Sequence, residues 1–120
     1  MFDVAIRNDN ASNCNIITLS GDWDLYEKEK VERLFAQVMS ESPASVIVDL
    51  TGIKFLDSSA VSTLIFSFIG LQKIGVPMVL VARENNYLLR KFRQLGIFDG
   101  TGLLFYDSVE TAQKELFNLP

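Results

Sequence analysis

The sequence has no histidine and a single cysteine, Cys14, and each shortage removes a class of chemistry. Without an imidazole there is no histidine general base and no Cys/His zinc site. With one thiol there is no internal disulfide. Proline is scarce, three in 120 residues, and no Pro-rich linker, repeat or low-complexity stretch divides the chain, so one domain over residues 1–120 is expected. Positive charge is also short: 11 Lys and Arg face 15 Asp and Glu, a net charge of -4. That balance argues against a footprint on nucleic acid or anionic lipid, either of which needs clustered cations. The longest strongly apolar stretch, residues 60–71, is too short to span a bilayer, and MFDVAIRNDN lacks the basic-then-apolar order of a leader. The expectation is a cytoplasmic chain with protein or small-molecule partners, no nucleic acid and no membrane. The glycines form neither G-x-x-x-x-G-K-S/T nor G-x-G-x-x-G, so no nucleotide cradle and no cofactor is expected.

What is present centres on residues 46–75, VIVDLTGIKFLDSSAVSTLIFSFIGLQKIG. Residues 46–50 are aliphatic without alternation, as in a strand covered on both faces of a mainly parallel sheet. From Ala60 the apolar positions Val61, Leu64, Ile65, Phe68 and Leu71 recur at three- and four-residue spacing, the stripe of a helix packed on that sheet. Phe66 and Ile69 fall off this stripe, and if exposed they would form an apolar patch beside the Asp-Ser-Ser stretch, as a partner surface would. Between strand and helix stand Asp57, Ser58 and Ser59, short oxygen-bearing side chains where an N-cap is needed.

The flanking chain follows the same logic. Phe2, Val4 and Ile6 alternate with polar or small residues as a half-buried strand, and 8–13 is a run of turn formers. A second strand over 15–20 stops at Gly21, and Asp22-Trp23-Asp24 leads into a helix from Leu25 to Met39 with Val31, Leu34, Phe35 and Val38 on one side, halted by Ser42-Pro43. Gly75 and Pro77 close the central helix, and 78–82 is a further strand. Asn85 or Asn86 caps a short helix carrying Tyr87, Leu88, Phe92 and Leu95, ended by Gly96. A last strand over 103–106 precedes a helix capped by Asp107-Ser108 and carrying Val109, Ala112, Leu116 and Phe117. The predicted order is ββαβαβαβα: an α/β fold whose sheet is mixed but mainly parallel, with an antiparallel edge strand and flanking helices.

Each candidate for chemistry has a plain structural reading beside it. A Ser or Asp ahead of an apolar helix is most often a cap, and a capping Ser58 would contribute about 1 kcal/mol. Neither serine has a histidine to activate it, so a hydrolase is not expected, whereas a hydroxyl at a helix start suits phosphorylation. Asp22, Asp24 and Asp49 stand near strand ends and would approach one edge, which raises a magnesium site of the phospho-aspartate receiver type. A receiver also needs a lysine after its fifth strand, and Leu103-Leu104-Phe105-Tyr106-Asp107 has none. Solvated acids and helix caps are the better account, and no metal ligands are assigned. Trp23 is open between an anchor on the first helix and an exposed contact.

The stretch VIVDLTGIKFLDSSAVSTLI resembles the STAS family, the domain of anti-sigma factor antagonists and of the cytoplasmic tails of sulfate transporters. It is similar to that family's aliphatic strand ending in Asp-Leu, short loop, Phe/Ile-x-Asp-Ser-Ser signature and aliphatic helix. Gly21-Asp22-Trp23-Asp24 resembles the family's Gly-x-x-Asp after the second strand, and the similarity continues through Gly75, Leu80 and Leu95-Gly96. One departure is Ala60, where a glycine usually follows the two serines. The resemblance implies a STAS-like fold and a non-enzymatic switch in bacterial transcription regulation by partner switching. Unphosphorylated, such an antagonist binds an anti-sigma factor serine kinase and frees the sigma factor; phosphorylation ends the complex, and a metal-dependent serine phosphatase restores it. By position the phosphoacceptor is Ser58, and Asp22, Trp23, Asp24, Asp57, Ser59, Ala60 and Thr63 are the implied partner-binding residues. A constitutive STAS scaffold or a transporter-associated STAS module are the alternatives the family offers, with the receiver-like domain less favoured.

Overall fold

The computed structural model describes residues 1–83 and 87–117, without the side chains of Tyr87 and Leu88. Strands β1 (Asp3–Asp9) and β2 (Cys14–Trp23) form a hairpin, followed by a 3-10 turn (Leu25–Glu27) and helix α1 (Lys28–Glu41). Then come β3 (Ser45–Leu56), α2 (Ser58–Lys73), β4 (Met78–Val81), α3 (Tyr87–Gln94), β5 (Phe105–Tyr106) and α4 (Val109–Phe117). The strands lie side by side in chain order, β1 antiparallel to β2 and every later pair parallel. The ββαβαβαβα order and the mixed, mainly parallel sheet with an antiparallel edge are as the sequence predicts.

The two faces of the sheet explain the uninterrupted apolar run in β3. Val46, Val48 and Leu50 face a cluster that includes Val31, Phe35 and Val38 of α1 and Val61, Leu64, Phe68 and Leu71 of α2. Ile47 faces the opposite way, with Cys14, Ile16, Val79 and Val81, beneath Ala112, Val109 and Leu116 of α4. Alternate residues of one strand therefore serve two cores, which accounts for aliphatic residues on both faces.

Both central strands are longer than expected. β2 does not stop at Gly21, and β3 runs past Leu50 to Leu56: Gly21 pairs with Ile53, Asp22 with Phe55 and Trp23 with Leu56. Register slips between Thr18 and Ser20 and between Gly21 and Asp22 absorb the irregularity. The left-handed backbone of Gly21 (φ 86°) lets the strand swivel and continue where sequence punctuation indicates an end. β1 pairs no farther along β2 than Ser20, and β4 no farther along β3 than Asp49, so beyond those points β2 and β3 form a two-stranded arm.

Other boundaries shift for local reasons. Asp24 caps the 3-10 turn, accepting from Tyr26 N at 3.0 Å, so α1 begins at Lys28 and leaves Leu25 and Tyr26 exposed. α1 ends where Ser42 turns left-handed (φ 48°), its amide donating to the Val38 and Met39 carbonyls. α2 closes at Gly75 (φ 78°) as its sequence indicates. β5 shortens to two residues because Gly100 and Gly102 hold left-handed turns ahead of it, and Leu104 is exposed. Ser108 caps α4 by accepting from Thr111 N at 3.1 Å. Ile6, Leu95 and Phe117, expected on buried stripes, are exposed, since edge strand and helix ends have no layer above them. The cap expected at Asn85 or Asn86 lies outside the described residues.

Gly21 and Gly75 test this account of the arm. Both hold positive φ, but the carbonyl of Met1 occupies the place a Cβ on Gly21 would take, while nothing stands near Gly75. Gly75→Ala is expected to cost about 1 kcal/mol from backbone strain alone, and Gly21→Ala roughly 2 kcal/mol or more. Urea unfolding of the two variants measures the difference, and equal losses would contradict the packing of Met1 on the arm.

Candidate functional site

The arm carries its side chains to one end of the molecule. Because Trp23 is in register with Leu56, the next residues on the two strands, Asp24 and Asp57, emerge side by side. The Asp57 amide donates to the Trp23 carbonyl at 3.4 Å, tying the start of α2 to the end of β2. Trp23 is fully buried and stacks, tilted, at 6.2 Å from Phe2. Of its two expected places it takes the anchor, and it offers a partner no surface.

Asp57 is the N-cap of α2. One of its carboxylate oxygens accepts from Ala60 N at 3.1 Å and from Ser59 Oγ at 2.6 Å. Ser59 is held further through its carbonyl, which accepts from Thr63 Oγ1 at 3.1 Å. Ser58, the first helical residue, is exposed, and its hydroxyl makes no hydrogen bond among the described residues. The two adjacent serines therefore differ: Ser59 is engaged by the cap and Ser58 is free. The capping expected of the Asp-Ser-Ser trio falls to Asp57 alone.

Of the seven residues expected to contact a partner, Asp22 is exposed, and Asp24, Asp57 and Ser59 are half-buried around Ser58. The other three are buried: Trp23, Ala60 at 1% exposure and Thr63 at 5% belong to the packing beneath the surface. The methyl group of Ala60 sits in the main core cluster, which explains why a side chain is accommodated there without altering the exposed face. The notion that Asp22, Asp24 and Asp49 share one edge also fails. Asp22 lies level with Phe55, six residues along β3 from Asp49, about 20 Å at strand rise. Asp49 instead accepts from the amide and hydroxyl of Thr51, at 3.0 and 2.7 Å. Among the described residues no group of three His, Cys, Asp or Glu side chains is placed to hold a metal ion.

Geometry adds surface that the sequence motif does not name. Ser58, Ser62 and Phe66 stand one turn apart on the outer face of α2, with Ile69 beyond them, and Phe66 is 72% exposed. Beside them α1 and α2 leave a groove of about 280 Å³ lined by Glu32, Phe35, Met39, Ser62 and Phe66, with the Lys28–Glu32 ion pair (3.8 Å) at its rim. Phe66 and Ile69, off the main stripe in the sequence, are both exposed and form this patch.

Chemically the arrangement offers an exposed hydroxyl at the positive end of a helix, next in sequence to the capping Asp57 and with the exposed Phe66 two turns along the same face. Among the described residues no base contacts the hydroxyl.

Residues 5–112 match the STAS domain model. An anti-sigma factor antagonist from Mycobacterium paratuberculosis is similar in fold, with a TM-score of 0.85 and 19% identity over 98% of this chain and 96% of its own. The anti-sigma factor antagonist SpoIIAA in its unphosphorylated form gives 0.73 at 18% identity, covering 99% and 100%. The phosphorylated form, from Bacillus, gives 0.68 at 17% identity, covering 97% and 99%. No curated protein matches the chain.

The cap assignment separates neighbouring residues in a stability measurement. Asp57→Ala is expected to cost about 1 kcal/mol by uncapping α2, and Ser58→Ala less than about 0.5 kcal/mol because its hydroxyl supports nothing. Thermal melts that reverse this order would place the cap on Ser58.

Proposed function

The chain belongs to the STAS domain family, and from that premise we propose that it is an anti-sigma factor antagonist: a phosphorylation-controlled binding module, not an enzyme, acting in partner switching. Unphosphorylated, it binds an anti-sigma factor serine kinase and frees the sigma factor. Phosphorylated on Ser58, it lets the kinase go until a metal-dependent serine phosphatase removes the group. The observation that carries this reading is the contrast between two adjacent serines, Ser58 exposed and unbonded, Ser59 locked to Asp57 at 2.6 Å. That one structural neighbour exists in unphosphorylated and phosphorylated forms supports it.

The electrostatics give the switch its direction. A phosphoryl group adds about -1.5 to -2 charges. At Ser58 these would lie beside Asp57 and near Asp24 on a chain already at -4. Any carboxylate on the partner that tolerates a hydroxyl is then repelled, and a loss of about 3 kcal/mol weakens binding roughly a hundredfold. Asp22, Asp24, Asp57 and Ser59 are assigned to the rim of this contact, with Phe66 and Ile69 as its apolar part. The wide separation of Asp22 from Asp49 disfavours the receiver-like alternative. No helix among the described residues is long and apolar enough to cross a membrane, and a cytoplasmic setting is part of the proposal.

Incubation with the kinase and ATP, then peptide mapping, is expected to place phosphate on Ser58. Ser58→Ala should bind constitutively, and Ser58→Asp should fold normally yet bind roughly ten- to a hundredfold more weakly. Equal affinity for Ser58→Asp and wild type, or phosphate mainly on Ser59 or Thr63, would overturn the assignment.

A further inference from the structure

The opposite end of the sheet holds a second concavity, unrelated to the Ser58 surface. There the β1–β2 turn, the chain entering β3, the chain entering β4 and the last turns of α4 border a half-open cavity of about 890 Å³. That volume is within the range of roughly 300–1,000 Å³ usual for small-molecule sites. Its walls are apolar where Ala11, Ala44, Pro77, Leu116 and Phe117 line it, and Phe117 is 83% exposed, so an aromatic ring stands in water.

The polar groups around this cavity are unequally free. The Asp9 carboxylate is already occupied: it accepts from Ala11 N at 3.3 Å, Ser12 Oγ at 3.1 Å and Gln113 Nε2 at 3.2 Å. The Gln113 bond also fastens α4 to the hairpin turn, so the walls are held together without a ligand. Deeper in, Ser45 is nine-tenths buried and its hydroxyl donates to the Cys14 sulfur, so that hydroxyl is spent within the protein. Cys14 is itself buried, and its sulfur donates weakly to the Asn15 carbonyl at 3.9 Å. Burial pushes the thiol pKa up, so it stays protonated and uncharged near neutrality. At the mouth, Lys114 is exposed and in no ion pair among the described residues. The capacity left for a ligand is thus donor capacity at the rim, the Lys114 ammonium, set beside apolar walls.

We propose that this cavity binds a small carboxylic acid with an aliphatic or aromatic body, its carboxylate on Lys114 and its apolar part between Pro77, Leu116 and Phe117. A neutral alcohol of the same size would keep the apolar contacts and lose the charge-assisted bond; an amine would face Lys114 with like charge.

Octanoate, octanol and octylamine, at equal millimolar concentrations with the whole chain, test this by thermal shift and by the rate at which iodoacetamide alkylates Cys14. Octanoate is expected to raise the melting temperature and slow alkylation, with octanol about tenfold weaker and octylamine weaker still. Lys114→Met, a surface change that should leave the apo melting temperature in place, should bring octanoate down to the level of octanol. No stabilisation by octanoate, equal affinity for acid and alcohol, an unchanged response in Lys114→Met, or binding that leaves the alkylation rate untouched would each overturn the proposal.

Discussion

The parallel pairing of β2 with β3 is the constraint on which the rest of the molecule depends. It begins at Cys14 opposite Ser45 and ends at Trp23 opposite Leu56. No other strand pair runs so far. A free two-stranded ribbon is marginal in water, and the arm persists because Ile53, Leu56 and Trp23 are drawn into the main core cluster with α1 and α2. The backbone ladder sets the register, and the buried side chains prevent it from fraying. Asp24 and Asp57 are neighbours only as a consequence of that register.

The Asp57 cap then divides labour within three residues. A carboxylate that holds both an amide and a hydroxyl fixes the first turn of α2, which frees the residue between them from any structural duty. A group added to Ser58 meets two opposed fields inside the chain: the helix amides attract it by about 0.3–1 kcal/mol, and the Asp57 carboxylate repels it by a comparable amount. These largely cancel, so the fold has little reason to change. Only a second molecule lacking such compensation would register the added charge in full. A modification of this kind reads as a change of surface and not of shape.

Much of this was legible in the residues, for identifiable reasons. The aliphatic run of β3 and the three-four spacing of α2 are long and unambiguous, and the order of elements followed from them. Boundaries set by backbone freedom were not legible. Gly21 reads as punctuation, but its positive φ continues β2 instead of ending it, so the arm was missed and Asp22 was brought too near Asp49. Exposure was the second hidden quantity. Trp23 among acids reads equally as an anchor or a contact until the arm folds it against Phe2, and Thr63 looks available until its hydroxyl is seen bonded to the Ser59 carbonyl. The free state of Ser58 could not be read from sequence at all, because three adjacent side chains were equally able to cap.

The seat of the Met1 carbonyl over Gly21 fixes which way the leading end of the chain departs. It leaves from beside the arm, whereas Phe117 closes α4 at the cavity at the opposite end of the sheet. The two ends are therefore not equivalent as points of attachment. A bulky reporter joined ahead of Met1 would start beside the arm, at the end of the sheet that carries Ser58, while Phe117 stands at the cavity. Each surface thus has its own unobstructed design: the tether belongs behind α4 for binding work at the arm, and ahead of Met1 for ligand work at the cavity.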